Sequence, residues 1–322
     1  MELNKNPALY LIILAFASTY ILWGTTYYAV LIGLKTLPPF IMGAVRFLIA
    51  GVVLLIICYV RRREKMWNRA IYKDLVLGTV ILTGGQGLLF FSELYIPSGY
   101  AAILVSTLPL WYVLLDRKNW PVYFSNKLIL LGLFLGFCGI LLLFERYIGA
   151  STGAGTTRFI GLIAVIGACI CWASGTLYYK NHADQSSLFL NLGWQLIGGF
   201  LSSLVVAFFC GEFHGFVVAG VSLNSWLATV YLAIAGSVIA FTAFSWLLTI
   251  RPAAIVGTYA YVNPVIAVLL GSLMANEEIS LLQIAGMCII LFSAFLVNSP
   301  KYWGKNKTSS LVNNDVVQEG TN

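Results

Sequence analysis

Charged side chains are scarce in this sequence. Asp, Glu, Lys and Arg supply only 10% of its 322 residues, whereas hydrophobic residues supply 60%. Soluble domains average roughly 25% charged and 45–50% apolar residues, so this composition excludes an ordinary soluble core. The apolar residues fall in long runs, many of which reach the ~20 residues that cross a bilayer. We therefore predict an all-α polytopic membrane protein.

Residues that build metal centres and hydrolytic sites are also few. The chain has two histidines, His182 and His214, which fall in predicted loops on opposite sides of the membrane. Its six cysteines form no CxxC pair and are interpreted as small apolar residues. The sequence contains no phosphate-binding glycine loop and no two closely spaced acids within one span. We therefore expect no metal, no cofactor and no ATP-driven step.

Basic residues set the predicted orientation. Fifteen of the nineteen Lys and Arg residues fall in inner loops and tails if the N-terminus lies inside, three fall in outer loops, and Arg46 lies within a span. This positive-inside bias predicts cytoplasmic termini and a cell (inner) membrane location, and it explains the net charge of +7 without nucleic acid. The ten predicted spans are roughly 9–32, 38–60, 74–96, 97–115, 127–145, 159–178, 187–209, 226–249, 252–274 and 280–298.

Two stretches of sequence recur in the same order. Trp23-Gly24-Thr25-Thr26 stands 149 positions before Trp172-Ala173-Ser174-Gly175, and a pair of prolines twelve positions apart occurs in each half. Spans one to five therefore resemble spans six to ten. Because five is odd, the second copy must enter the membrane from the opposite side, as in the inverted repeats of many secondary transporters. The predicted divisions are a first repeat at 1–145, an extracytoplasmic linker at 146–158, a second repeat at 159–299 and a disordered cytoplasmic tail at 300–322.

Several motifs resemble one transporter family. They are, in chain order, Trp23-Gly24-Thr25-Thr26-Tyr27, Pro38-Pro39, Arg46-Phe47, Glu93 with Ile96-Pro97-Ser98-Gly99, Ala101-Ala102-Ile103-Leu104 with Pro109-Leu110, and Tyr259-Ala260-Tyr261-Val262-Asn263-Pro264 followed by Asn276-Glu277. Together they are similar to the EamA branch of the drug/metabolite transporter superfamily, and within it to the PecM-like permeases. The resemblance implies ten helices around a central cavity, and export of amino acids, metabolites or drugs. It also implies an acid after the fourth span of each repeat, that is, after spans four and nine, which we call the fourth-type spans. Glu277 fills this role in the second copy, whereas the first copy offers only Asp116 nearby.

Two charged residues fall within predicted spans rather than clearly at their cytoplasmic ends. Arg46 and Glu93 lie at compatible depths, and their counterparts in the second copy, Gln195 and Leu248, are both uncharged. We predict an Arg46–Glu93 ion pair or shared network, which serves either charge recognition and coupling or only the locking of two helices. Glu93 is the carboxylate candidate for any proton coupling.

Helical spacing groups other side chains on faces that the repeat would place around a cavity. The predicted cavity residues are Trp23, Tyr27, Gln86, Glu93, Trp172, Thr176, Ser237, Phe241, Tyr259 and Asn263. Interfacial belts and helix packing are the alternative roles for such residues. Pro109 and Pro264 each free a carbonyl one turn earlier, which predicts kinks that act as hinges.

The predicted function is that of a secondary transporter. We expect it to export small organic solutes, amino-acid-like or drug-like, by alternating access around the cavity. The expected partners are the solute and membrane lipids, with proton coupling and a homodimer left open and no nucleic acid. A channel or an intramembrane enzyme is the alternative.

Overall fold

A computed structural model describes residues 7–61, 70–92, 95–96, 98–144, 156–182, 187–275 and 280–298. Within these ranges the chain is helical and contains no strand. The α-helices are α1 (Leu9–Gly33), α2 (Pro39–Arg61), α3 (Ala70–Gly78), α4 (Leu88–Ser92), α5 (Ser98–Val105), α6 (Leu108–Leu115), α7 (Trp120–Ser125), α8 (Lys127–Leu143), α9 (Thr156–Asn181), α10 (Leu188–Phe209), α11 (Leu223–Tyr231), α12 (Phe241–Ile250), α13 (Ala253–Val256), α14 (Tyr259–Ala275) and α15 (Leu281–Asn298). Two π-helical segments, Thr79–Gly87 and Leu232–Ala240, join α3 to α4 and α11 to α12.

Length and apolarity mark most of these helices as membrane spans. Eight helices of the described chain are long and apolar enough to cross a bilayer, or nine if Arg117–Ser125 and Lys127–Leu143, which meet at 94°, form one broken span. A shorter apolar helix occupies Ala101–Leu115. The prediction of an all-α polytopic membrane protein is confirmed by these helices, while the length criterion supports fewer spans than the ten predicted.

The outer surface of the bundle is apolar. Large hydrophobic side chains such as Phe209, Leu281 and Phe295 are 65–85% exposed. Water would oppose such exposure, whereas lipid chains accept it, so these faces are suited to the hydrocarbon of a bilayer.

The N-termini of three helices are capped by neighbouring side chains. The side chains of Asn126, Ser187 and Ser222 accept hydrogen bonds from backbone N–H groups in the first turns of α8, α10 and α11.

Equivalent helices of the two sequence copies pack against one another. α2 lies along α10, and α8 lies along α15. The contact of α1 with α14 also recurs between their counterparts in the other copy, α9 and α6. Each copy also contains one nine-residue π-helical segment in the corresponding span. The two halves are therefore related in packing as well as in sequence.

The chain breaks its fourth-type span in both copies. The first break separates α5 from α6 at Ser106-Thr107, directly before Leu108-Pro109. The second separates α13 from α14 at Gly257-Thr258, so Pro264 lies inside α14 rather than at the break. The breaks therefore stand at different distances from their prolines, which the matched proline spacing did not indicate.

Some predicted features lie outside the described residues. They are Glu93, Glu277, the tail at 300–322 and most of the linker at 146–158, of which only the last positions are seen, at the start of α9. The predicted Arg46–Glu93 pair and the predicted disorder of the tail therefore stay predictions.

Candidate functional site

A cavity of about 390 Å³ lies between the two halves of the bundle. Both sequence copies line it. It extends along α1 from Trp23 to Leu31 and along α14 from Tyr259 to Val268. The rest of its wall comes from α2, the π-helical segment at 79–87, α4, α5, α6, Phe144 and α9. Its volume falls in the range of about 300–1,000 Å³ that is typical of small-molecule sites.

Aromatic rings form the base of this cavity. The aromatic cluster consists of Trp23, Trp172, Phe241, Phe244 and Tyr259. The ring centroids of Trp23 lie 4.6 Å from Tyr259, 5.7 Å from Trp172 and 5.2 Å from Phe244. Trp23 and Trp172 are the equivalent residues of the two copies, so the repeat brings its own tryptophans together in edge-to-face contact. This arrangement gives the cavity an apolar floor contributed by both halves.

The cation Arg46 lines the cavity although only 5% of it is exposed. Its Nε donates to Ser237 Oγ at 2.8 Å. Gly236 permits this approach, because a Cβ at that position would lie 3.0 Å from Nη2 of Arg46. The Gly236 carbonyl in turn accepts a 2.9 Å hydrogen bond from Nε1 of Trp23. The π-helical segment at 232–240 therefore positions both Arg46 and Trp23.

Two further polar groups on the cavity wall are unsatisfied. Gln86 Oε1 and Trp172 Nε1 are both buried atoms without a hydrogen bond. Nε1 of Trp172 interacts with the hydroxyls of Tyr112 and Tyr259 but reaches full hydrogen-bond geometry with neither. Buried polar groups normally find partners, so unsatisfied ones on a cavity wall point to a ligand or ordered water.

Asn263 has a structural as well as a cavity-lining position. With its amide oriented so that the nitrogen faces carbonyls, it donates to the Tyr259 carbonyl at 3.0 Å and to the Tyr20 carbonyl at 3.1 Å. It therefore ties α14 to α1 beside the cavity. Pro264, the next residue, also lines the cavity, and the carbonyl that it leaves free in α14, that of Ala260, accepts a 3.0 Å hydrogen bond from Ser106 Oγ.

One end of the cavity is closed. The seal is formed by Tyr20, Tyr112, Thr176, Gly257 and Thr258. The hydroxyl of Tyr112 lies 2.9 Å from Thr176 Oγ1, and that of Tyr20 lies 2.7 Å from Thr258 Oγ1. Gly257 packs on the Tyr112 ring so closely that a Cβ would lie 2.6 Å from it. The seal occupies the half of the bundle that contains the start of α1 and the end of α9.

A second set of contacts reinforces the closed end. Asp116, which is 2% exposed, accepts from the Tyr123 hydroxyl at 2.7 Å and from Asn119 at 2.8 Å, both through Oδ2. The Tyr123 oxygen accepts from the backbone N–H of Ala254 at 3.3 Å. The segment after the first copy's fourth-type span is therefore joined to the start of the second copy's.

The described residues of the predicted site fall in four places. Those that line the cavity are Trp23, Tyr27, Arg46, Gln86, Trp172, Tyr259, Asn263 and Pro264. Ser237 and Phe241 stand behind the wall, where they contact Arg46 and Trp172. Thr176 belongs to the seal instead of the wall, because its hydroxyl bonds the Trp172 carbonyl and Tyr112. Pro109 is buried in the first turn of α6, next to the cavity-lining Leu108.

Sequence reasoning missed several residues. Phe244 is fully buried in the aromatic cluster, three positions after Phe241, and an aromatic residue at that helical spacing was the available signal. Asp74, at the cytoplasmic end of the third predicted span, was not singled out by the sequence. This acid is 2% exposed and accepts from Gln195 Nε2 at 3.3 Å, between α3 and α10. Its place near a span end made it look like a loop residue.

Comparisons with known proteins give the family. The model of the EamA-like transporter family matches residues 9–145 and again 159–299. The inner membrane transporter YedA of Escherichia coli (strain K12) is 32% identical over 289 residues, which cover 89% of this chain and 90% of YedA. Protein PecM of Dickeya dadantii (strain 3937) is 27% identical over 281 residues, which cover 85% of this chain and 88% of PecM. A solved crystal structure matches with a TM-score of 0.71 at 20% identity, covers 89% of this chain and 97% of that one, and shows the same fold.

These matches decide two of the predictions. The resemblance to the EamA branch is confirmed by the double family match. The predicted location, multi-pass in the inner membrane, is confirmed by the apolar helices together with the inner membrane relative. Since the family model covers most of each half, the chain belongs to the EamA-like transporter family.

Proposed function

We propose that this protein is a secondary transporter that moves small organic solutes through the central cavity by alternating access. The observation that carries the proposal is the cavity itself, which is lined by both halves. One end of it is closed, and side-chain contacts between helices form this closure. A site between two repeats, sealed by side chains that can separate, suits a carrier. An open pore would have no such seal, and the cavity presents no nucleophile–base pair among its described residues.

The topology we propose has ten spans as two inverted five-helix repeats with both termini in the cytoplasm. In it Ala101–Leu115 and the bent pair ending in Lys127–Leu143 act as the fourth and fifth spans. The positive-inside bias supports this orientation. The seal then lies on the cytoplasmic side, and the cavity extends towards the extracytoplasmic side.

We propose export as the direction and an amino-acid-like or drug-like solute as the cargo. The aromatic cluster supports a partly apolar solute, because such rings offer large contact area and specific edge-to-face geometry. Release from a cavity that extends outwards is the step this conformation represents. Protein PecM and YedA are relatives of this chain, and neither name gives a cargo.

Coupling and assembly complete the proposal. Glu93 is the carboxylate that we propose for proton coupling, and the broken fourth-type spans with Pro109 and Pro264 are the proposed hinges. The exposed apolar faces contact membrane lipids, and a homodimer is the proposed assembly.

Transport of solutes by the purified protein in lipid vesicles tests this function. Vesicles preloaded with one unlabelled solute are given the same solute in radiolabelled form, and counterflow is followed for a panel of neutral, cationic, zwitterionic and anionic aromatic compounds. We expect counterflow of at least one compound, and its loss in the double variant Trp23→Ala/Trp172→Ala. Trp226→Phe, in α11 and away from the cavity, is the control variant. Conductance that does not saturate with solute concentration would instead identify a channel.

A further inference from the structure

We infer that the cavity selects solutes that carry a carboxylate, and that Arg46 binds this group. The inference rests on the proposed function, because it names the chemical class of the cargo. Arg46 is the only charged residue among the described residues that line the cavity.

The protein holds the guanidinium in a fixed position. Nε is occupied by Ser237 Oγ at 2.8 Å, and the guanidinium carbon lies 5.5 Å from the centre of the Phe47 ring. Gly236 leaves room for Nη2. With Nε engaged, the two terminal nitrogens are the donors that stay available, and their planar fork matches a carboxylate in a bidentate manner.

The guanidinium also has no acid partner in the described part of the chain. Its one hydrogen bond there is to the neutral Ser237, and no described carboxylate forms an ion pair with it. A buried charge without a counter-ion is costly, so a cation held at the edge of a cavity favours an anionic ligand. The ligand would supply the charge that the described wall lacks.

The remaining wall defines the rest of the solute. The aromatic cluster receives an apolar or aromatic body, while the unsatisfied Gln86 Oε1 can accept a hydrogen bond and Trp172 Nε1 can donate one. A single cation suits a monoanion. A phosphate ester, with about two charges, would call for further cations that the described wall does not offer.

Equilibrium dialysis of the purified full-length protein in detergent near pH 7 tests the inference. The probes are phenylacetate, phenylacetamide and phenethylamine, together with indole-3-acetate, indole-3-acetamide and tryptamine. Each set holds the ring constant and changes only the end group. For the wild-type protein we expect the carboxylate to bind about tenfold more tightly than the amide, which is about 1.4 kcal/mol, and more tightly still than the amine.

Variants assign the preference to one residue. Arg46→Gln should reduce the ratio of the two dissociation constants to about one while amide binding is retained, and Arg46→Lys should give an intermediate ratio because an ammonium cannot bind in a bidentate manner. Ser237→Ala, which frees Nε, should lower the ratio in a protein that keeps its charge, and it serves if Arg46→Gln does not fold. Lys35→Gln changes an exposed cation outside the cavity and should leave the ratio unchanged.

Three results of the binding experiment would overturn the inference. They are equal binding of carboxylate and amide by the wild-type protein, a preference that persists in folded Arg46→Gln, and no binding of any of the six probes. Counterflow of neutral or cationic solutes at rates equal to those of acids would leave the proposed function standing while this inference fails. Absence of counterflow for every solute would instead remove the proposed function.

Discussion

Trp23 joins the two halves at the level of single residues. Its indole N–H donates to Gly236, and its ring touches Trp172, Phe244 and Tyr259. A side chain with so many partners serves the packing of the bundle and the shape of the cavity together. Stability and transport must therefore be measured separately in its variants.

Trp23→Phe and Trp23→Ala separate the hydrogen bond from the ring. The Phe variant should lose about 0.5–1.5 kcal/mol of stability with the indole hydrogen bond, whereas the Ala variant should lose about 3–5 kcal/mol because it leaves a cavity. Thermal unfolding in detergent gives the order of the two variants, with Trp226→Phe as control. Equal midpoints for wild type and Trp23→Ala would show that the ring contacts contribute nothing to stability.

Glu212 gives a prediction about pH. This half-buried carboxylate in the loop after α10 accepts the backbone N–H groups of Phe40 and Ile41 at 2.9–3.1 Å. Burial raises the pKa of Glu212 above its ordinary value of 4.5, and the two backbone hydrogen bonds oppose that rise in part. At a pH between the unfolded-state pKa of about 4.5 and the higher folded-state pKa, Glu212 is more protonated in the folded protein than in the unfolded chain. The contribution of Glu212 to stability therefore falls as the pH rises from about 4.5 through the folded-state pKa.

The comparison with Glu212→Gln isolates that contribution. The difference in melting temperature between wild type and Glu212→Gln should shift in favour of Glu212→Gln as the pH is raised through this window. The measurement is differential scanning fluorimetry at closely spaced pH values. A difference that is constant with pH, or that shifts in favour of the wild type, would contradict the assigned pKa direction.

The sequence predicted some site residues and missed others for physical reasons. Trp23, Trp172, Tyr259 and Asn263 could be found because each is a large or polar group repeated, or helically spaced, inside an apolar run. Asp74 could not, since an acid near a span end is ordinarily solvated and only the packing of α3 on α10 buries it. The seal was also missed. Tyr112 and Thr258 are residue types common in membrane helices, and their partners Thr176 and Tyr20 lie far from them in the sequence.

At the scale of elements, the breaks in the fourth-type spans depend on each other. The carbonyl of Ala260 lacks a helical donor because Pro264 has no N–H. The hydroxyl of Ser106, at the other break, lies 3.0 Å from this carbonyl and 2.8 Å from the Ala102 carbonyl of its own helix, so the two carbonyls share one donor. A polar contact between the two breaks links the conformations of the two halves. It also means that neither proline acts alone.

A double-mutant cycle tests this link. Ser106→Ala should cost about 1–3 kcal/mol, because it leaves a buried carbonyl unsatisfied. In the Pro264→Ala background the alanine N–H can satisfy that carbonyl, so the cost of Ser106→Ala should shrink by at least ~0.5 kcal/mol. Additive effects on unfolding would contradict the link.

Pro264→Ala alone tests whether the bend acts as a hinge. If it does, this variant should slow counterflow more than it changes the unfolding midpoint, and unchanged counterflow would remove that role.

Glycines on α3 and α10 set how closely these helices approach. A Cβ on Gly78 would collide with the backbone carbonyl of Gln195, whereas a Cβ on Gly220 meets nothing within 4 Å. Gly78→Ala should therefore separate α3 from α10 and lower the free energy of unfolding by about 1–3 kcal/mol. Gly220→Ala should leave the free energy of unfolding nearly unchanged. Equal unfolding midpoints for the two variants would show that the bundle accommodates the added methyl group.

At the scale of the whole molecule, the all-α membrane fold could be predicted because hydropathy and repetition are properties of the sequence itself. The lengths of the individual spans could not, since Lys127–Leu143 and Ala101–Leu115 are shorter than the apolar runs that contain them. Residues at the breaks, Ser106 and Gly257-Thr258, take part in contacts between the halves. These contacts close one end of the cavity and leave the other half of the bundle to line it.

We propose a cavity between the halves that is reached from the extracytoplasmic side and sealed towards the cytoplasm. Labelling with a membrane-impermeant maleimide tests it most directly, in a background whose six cysteines are replaced by serine or alanine. Ala267→Cys on the cavity wall should react much faster in right-side-out than in inside-out vesicles, and Ala254→Cys, a fully buried residue in α13 beside Gly257 of the seal, should react slowly in both. Faster labelling of Ala267→Cys from the cytoplasmic side, or ready labelling of Ala254→Cys from that side, would show that the cavity is not sealed towards the cytoplasm.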